Sequence, residues 1–247
     1  MVRTQQLNTQ PAARLALVSW AARVGGVTAV ALSDRDRCTV ASAGGRLRAA
    51  ERSGLLHASR PLTGAPAVFV ATRAGLHAAG LQSLDTVSIT ASNAGHSIAC
   101  AAVAARLERN YPNQRMMGEQ ELRSEERQHR GPLASATLAG GPQTVKLHRP
   151  DLVLWPQQPD GALPVAVEVE LTVKAPRRLL EICRAWARCR CVAGVLYVVA
   201  AEVERPLLRA IENAQAHGRI AIVALPDLLA DAEIERTPEA RTVPSEA

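Results

Sequence analysis

Glu168-Val169-Glu170 interrupts an otherwise apolar run from Val165 to Val173, and Asp151 follows Arg149-Pro150 at the head of another. Side chains alternate faces along a strand, so Glu168 and Glu170 point the same way. With the Asp151 strand beside them, three carboxylates converge at one end of a sheet. Such a cluster repels itself unless a divalent cation sits in it, and Mg²⁺ (or Mn²⁺) suits hard oxygen ligands. A cation there polarises a phosphate and lowers the pKa of water, which is the chemistry of phosphodiester hydrolysis. Asp151 and Glu168 are the candidate ligands. Glu170 or Lys174 would orient the water, and Lys174 could also offset charge on the pentavalent state. Arg177 and Arg178 open the following helix and could contact a nucleic-acid backbone. The competing reading of the acids is a half-exposed strand with a solvated face, and of the two arginines a solvated first turn.

The order Pro150-Asp151, then Glu168-Val169-Glu170, resembles the PD-(D/E)XK nuclease superfamily over about residues 94–225. Members often carry a further Glu on a helix before the first strand. Glu119-Gln120-Glu121-Leu122-Arg123 sits at that place, so the resemblance gives Glu121 a metal-ligand role. The superfamily usually has Lys where this chain has Glu170. Some members use Glu there, others bring the Lys from nearby, and Lys174 follows four residues on. It is one of two lysines in the chain, with Lys146.

These residues need a scaffold, and the C-terminal two-thirds alternates accordingly. Strands are expected at 145–147, 151–155, 165–173, 194–200 and 219–224, with helices over 93–110, 176–190, 204–217 and 226–231. The segment 133–142 is small and Gly-rich and reads as a mobile loop. Alternation of this kind predicts an α/β sandwich with a central mixed sheet, restriction-endonuclease-like by the resemblance above. His148 would lie on the opposite face from Asp151 in a continuing strand. It reads as an incidental loop histidine, with approach to DNA the alternative, and His96 as a packing or capping residue.

The first third follows another pattern. Leu15, Leu17, Val18, Ala21, Ala22 and Val24 form an apolar stripe over a helix at 11–24, closed by Gly25-Gly26. A short helix at 27–32 and a third over 39–54 follow, then strands at 55–59 and 67–71 around a Pro61-to-Pro66 hairpin tip. Three helices and a ribbon are the order of a winged helix-turn-helix. Gly45-Arg46-Leu47-Arg48-Ala49-Ala50-Glu51-Arg52-Ser53-Gly54-Leu55-Leu56, with Ala71-Thr72-Arg73-Ala74-Gly75-Leu76 after the hairpin, resembles bacterial winged-helix DNA-binding domains. In such domains the third helix enters the major groove and the wing follows a phosphate backbone. Arg37, Arg46, Arg48 and Arg52 are then the DNA-contacting candidates, with Arg60 on the wing. A winged helix used only for protein contacts is the alternative.

Charge divides the chain in the same place. The net charge is +6, and residues 1–90 alone hold ten Arg and no Lys against Asp34, Asp36, Glu51 and Asp85, which accounts for all of it. A basic module suggests a phosphate-rich partner, although solubility is a sufficient use for a charge of this size. Domains are therefore expected at 1–90 (winged helix) and 91–235 (nuclease-like), with a disordered Pro-, Glu-, Thr- and Ser-rich tail over 236–247. No apolar stretch approaches the about 20 residues that span a bilayer. The polar first ten residues lack a signal-peptide core, which predicts a cytoplasmic protein. Cys183, Cys189 and Cys191 cluster without Cys-x-x-Cys or His at ligand spacing, so buried structural thiols are expected rather than zinc.

Taken together, a winged helix, the helix bearing His96, a Glu-rich segment and the two acidic strands resemble the replication-relaxation family over about residues 20–225. That family is found on plasmids and other mobile elements and is linked to plasmid replication and DNA relaxation. The resemblance implies a DNA partner, and because winged-helix proteins often bind as dimers, a homodimer is a further expectation. Two functions follow. One is a Mg²⁺-dependent DNA endonuclease addressed by its winged helix. The other is a non-catalytic DNA-binding regulator or replication accessory factor with a degenerate nuclease fold. A nucleotide-binding enzyme is a poor third reading, since no Gly-rich phosphate loop precedes a helix.

Overall fold

Threonine hydroxyls set the starts of three early helices. The computed structural model describes residues 2–138, 146–157 and 161–230, with side chains from Pro11 onward. Helix α1 (Val2–Val24) ends at Gly25 and Gly26, whose φ angles of 88° and 145° reverse the chain as few other residues could. Thr28 accepts the Ala31 N–H to begin α2 (Ala29–Asp36), and Thr39 accepts the Ser42 N–H to begin α3 (Val40–Arg52). Strands β1 (Leu56–Ser59) and β2 (Val68–Ala71) then pair antiparallel, and Thr72 caps α4 (Arg73–Ala78). Val27 exchanges two backbone hydrogen bonds with Phe69 (2.9 and 2.8 Å). That bridge explains why the second helix begins at residue 29 rather than 27. Val18, Leu32, Leu47, Leu56, Phe69 and Leu76 fill the core of this unit.

Helix α5 (Ala94–Asn110) is packed on two sides. Ala101 and Ala105 close the core of the first unit, while Val103 and Leu107 lie against the central sheet. After it come β3 (Gln114–Gly118), α6 (Glu119–His129), β4 (Ala136–Leu138), β5 (Lys146–His148), β6 (Leu152–Pro156) and β7 (Val165–Glu170). The chain then alternates through α7 (Pro176–Arg188), β8 (Gly194–Val199), α8 (Ala201–Ala214), β9 (Ile220–Ala224) and α9 (Leu225–Leu229).

The central sheet has the order β3-β6-β7-β8-β9; β3, β6 and β7 are antiparallel, and β7, β8 and β9 parallel. Ile182, Trp186 and Leu207 of α7 and α8 cover one face, and α5 with α9 the other. Because β8 is covered on both faces, its run Gly194 to Val199 is apolar throughout. The molecule is thus a mixed α/β protein with a five-stranded mixed central sheet. Among the described residues no helix is long and apolar enough to cross a membrane.

Some elements depart from expectation. β3 is an edge strand in a stretch that sequence periodicity leaves blank, because Met116 and Met117 are both buried and break the alternation. Residues 136–138, expected within a mobile loop, form β4 against β5, while 139–145 and the expected tail over 236–247 lie outside the described residues. β7 stops at Glu170 rather than continuing to Val173. Its partner β8 ends at Val199, opposite Glu170, where the chain turns into α8 and leaves no strand to pair with.

Candidate active site

Register brings the acids together. Leu152 of β6 pairs with Val167 of β7, so Asp151, one step outward, stands beside Glu168 and Val169. The Val169 N–H donates to Asp151 Oδ2 at 2.8 Å, which fixes the carboxylate. Glu168 and Glu170 share the face of β7 that looks towards α7, and both are buried. The loop after β7 returns Lys174 to Glu170, with which it forms an ion pair. Asp151, Glu168, Glu170 and Lys174 therefore occupy one end of the sheet.

Glu168 and Glu170 are withdrawn from water, while Asp151 and Lys174 remain partly exposed. Burial pushes the Glu168 carboxyl above its ordinary range; His148 opposes that shift and the Asp151 charge adds to it. Burial likewise lowers the Lys174 ammonium, while the charges of Glu168 and Asp151 work against the shift. Arg178, half-buried and paired with Glu181 at 2.8 Å, adds its positive field to Lys174, whereas Arg177 is exposed on the first turn of α7.

Two histidines belong to this neighbourhood although neither was expected there. His148 is not an incidental loop residue: its Nε2 lies 2.7 Å from Glu168 Oε1, and its ring meets Trp186 edge-on at 5.7 Å. The same carboxylate oxygen accepts a hydrogen bond from Trp186 Nε1 at 3.2 Å. His148 reaches Glu168 because it sits on β5, a strand separate from β6. His96, expected to pack or cap, has its Nε2 3.0 Å from Asp151 Oδ1 and 3.4 Å from Cys100 Sγ. The hydrogen bond to Asp151 raises the His96 pKa, against the opposing effect of burial. Burial raises the Cys100 thiol well above its ordinary value, helped by Asp151, Glu168 and Glu119. The signal that could have found this pair is their spacing of four on one helix face.

Glu121 goes elsewhere. It pairs with Arg115 and lies 3.5 Å from Arg23, buried between α1 and β3. Glu119, two residues earlier, lines the cleft that holds His96, Cys100 and Asp151, and its N–H donates to the Asp151 carbonyl at 3.0 Å. The expected metal-ligand role of Glu121 is corrected accordingly: side chains two apart on a helix leave about 200° from one another. Asp151 and Glu168 by contrast suit a hard divalent cation. They are adjacent carboxylates, set side by side by the β6–β7 register.

The remaining basic candidates lie on the first unit. Arg48 and Arg52 are exposed and one turn apart on α3, beyond the small residues Ala41, Gly44 and Gly45. Arg46 is held by Asp36 at 2.5 Å, Arg37 forms the left-handed cap of α2 (φ 50°), and Arg60 is exposed beside the hairpin tip. The cysteine cluster behaves as expected in part. Cys183 is buried and its thiol pushed up to about 12 by that burial, while Cys189 Sγ lies 3.2 Å from Cys191 Sγ. No family model, curated protein or solved structure matches this chain.

Proposed function

We propose that this protein is a metal-dependent DNA endonuclease of the replication-relaxation type, addressed to DNA by an N-terminal winged helix. The observation that carries the reading is the pairing of β6 with β7, which sets Asp151 beside Glu168 and leaves Lys174 within the field of both. Asp151 and Glu168 would hold the divalent ion, which when bound supplies Lewis acidity to the scissile phosphate. The Val169 N–H keeps Asp151 in place, so the carboxylate needs no reorganisation. His148 and Trp186 hold Glu168 between them. Lys174, partly desolvated, is suited to hold or release a proton at Nζ while Glu170 orients it. On the first unit, Arg48 and Arg52 on a helix lined by small residues permit close approach to a groove, and the Val27–Phe69 bridge braces the hairpin behind them.

One observation favours a second reading. Glu168 is enclosed by His148 and Trp186, and Glu170 is already paired with Lys174. A site closed in this way suits a DNA-binding regulator whose nuclease fold is a scaffold. Supercoiled plasmid incubated with Mg²⁺ or Mn²⁺ separates the two. Nicking by the wild type that Asp151→Asn and Glu168→Gln abolish, with DNA binding retained, is the expected result. Tight DNA binding without cleavage under either ion would instead establish the regulator.

A further inference from the structure

His96 and Cys100 stand one turn apart on α5, so both side chains leave the same face of the helix. His96 Nε2 faces Asp151 Oδ1 at 3.0 Å and Cys100 Sγ at 3.4 Å, and the three donor atoms all lie within 4.8 Å of one another. Asp151 Oδ1 and Cys100 Sγ both approach this one ring nitrogen, so three donors of different chemistry converge. Tetrahedral coordination, with metal–N and metal–O bonds of about 2.0–2.2 Å and metal–S of about 2.3 Å, sets neighbouring donors roughly 3.3–3.7 Å apart. The observed separations require only small side-chain movements to reach that geometry. Asp151 Oδ2 is already held by the Val169 N–H, the kind of outer contact that orients a ligating carboxylate. Beside the three donors is a cleft of about 130 Å³, bordered by Arg23, Gly25, Val87, Glu119 and Gln120. At about 30 Å³ for each water, it has room for an ion and a few waters.

We propose that His96, Cys100 and Asp151 form a three-ligand site for a borderline divalent transition ion of the zinc class, with a fourth position open to the cleft. A nitrogen, a sulfur and one carboxylate oxygen are the donor set of such ions, whereas Mg²⁺ keeps to oxygen. The site does not require the protein to cleave DNA. Glu168 is outside the donor set, and Asp151 alone is common to this site and to the proposed nuclease site.

Cobalt(II) reports such a site without any activity assay. Full-length protein stripped with a chelator and titrated with Co²⁺ is expected to take up a tetrahedral ion, with intense visible d–d absorption and a thiolate-to-cobalt charge-transfer band. Cys100→Ser should remove the charge-transfer band, and His96→Asn should weaken the affinity by about tenfold or more. Far-UV circular dichroism checks that the buried Cys100 variant is folded, and the partly exposed His96 supplies the second variant. Glu168→Gln and the double variant Cys189→Ser/Cys191→Ser should leave the spectrum unchanged. The assignment is overturned if no tetrahedral cobalt spectrum appears, if the charge-transfer band depends on Cys189 and Cys191, or if His96→Asn binds as tightly as wild type. Because Glu168→Gln removes the proposed cleavage while sparing this site, failure of one reading does not imply failure of the other.

Discussion

Burying a carboxylate costs stability, and Glu168 is such a group. Its folded pKa lies above the unfolded value, so the folded state binds the proton more tightly. Stability is therefore greatest below the unfolded pKa and is lost as pH rises through the folded one. Glu168→Gln removes the charge and keeps the shape. The variant should melt about 2–4 °C above wild type at pH 8, the shift about 1 kcal/mol produces in a chain this size. Calorimetry should show the gap narrowing towards pH 5; a variant less stable than wild type at pH 8 would contradict this. Higher stability with lost cleavage is what a residue kept for function shows. Cys189 shifts in the opposite direction. Its hydrogen bond with Cys191 lowers that thiol, while the pKa of Cys191 rises. A lowered acid contributes stability above the unfolded pKa and loses it as pH falls through the folded value. Thiolate absorbance should therefore appear below the ordinary thiol range and move up in Cys191→Ser. A first thiol titrating near about 8.5 in wild type would refute the pairing.

At the scale of elements, α3 is where DNA binding can be tested. Its exposed face carries Arg48 and Arg52, while Arg46 turns aside to Asp36. Arg48→Ala and Arg52→Ala should each lower the slope of log K against log salt by about 1. Arg46→Ala should change it less, because its guanidinium is already neutralised. Filter binding or fluorescence anisotropy across a salt series reads both, and equal effects at all three positions would remove α3 from the interface. β7 shows how far an element can be read in advance. The alternation of Val165 to Glu170 identifies the strand and the shared face of its two acids, since period two is local. Its end at Glu170 depends on where β8 stops, which is a property of the partner. Likewise β3 escapes notice because both of its methionines are buried, one against each side of the sheet.

For the whole molecule, α5 decides how the parts behave together. Arg106, buried on this helix, donates to Asp34 of α2 and to the carbonyls of Leu229 and Ala230 at the end of α9. Elements from both ends of the described chain thus meet at one guanidinium. Arg106→Ala leaves the two carbonyls to find other partners, while Asp34 keeps Arg109 at 2.5 Å, and should cost about 1–3 kcal/mol. Trp20 reports on the first core and Trp186 on the sheet. In single-tryptophan variants retaining one or the other, both signals should disappear in one denaturant transition, and Arg106→Ala should shift both together. Separate midpoints in the wild type would show that the two units unfold independently.

Local chemistry in the sequence determined the helix-helix-helix-ribbon order and the α/β alternation. It also placed Glu168 and Glu170 on one face and suggested that Asp151 would join them. Each of these depends on neighbours a few residues apart, whose periodicity and caps act along the chain. Only tertiary structure decided which charges meet. Glu121 was drawn to Arg115 rather than to Asp151, because the rotation of α6 against α1 and β3 sets its direction. His96 reached Asp151 across 55 positions and His148 reached Glu168 from another strand. A partner that far along the chain is selected by sheet register and helix packing, and neither leaves a periodic mark on the residues that meet.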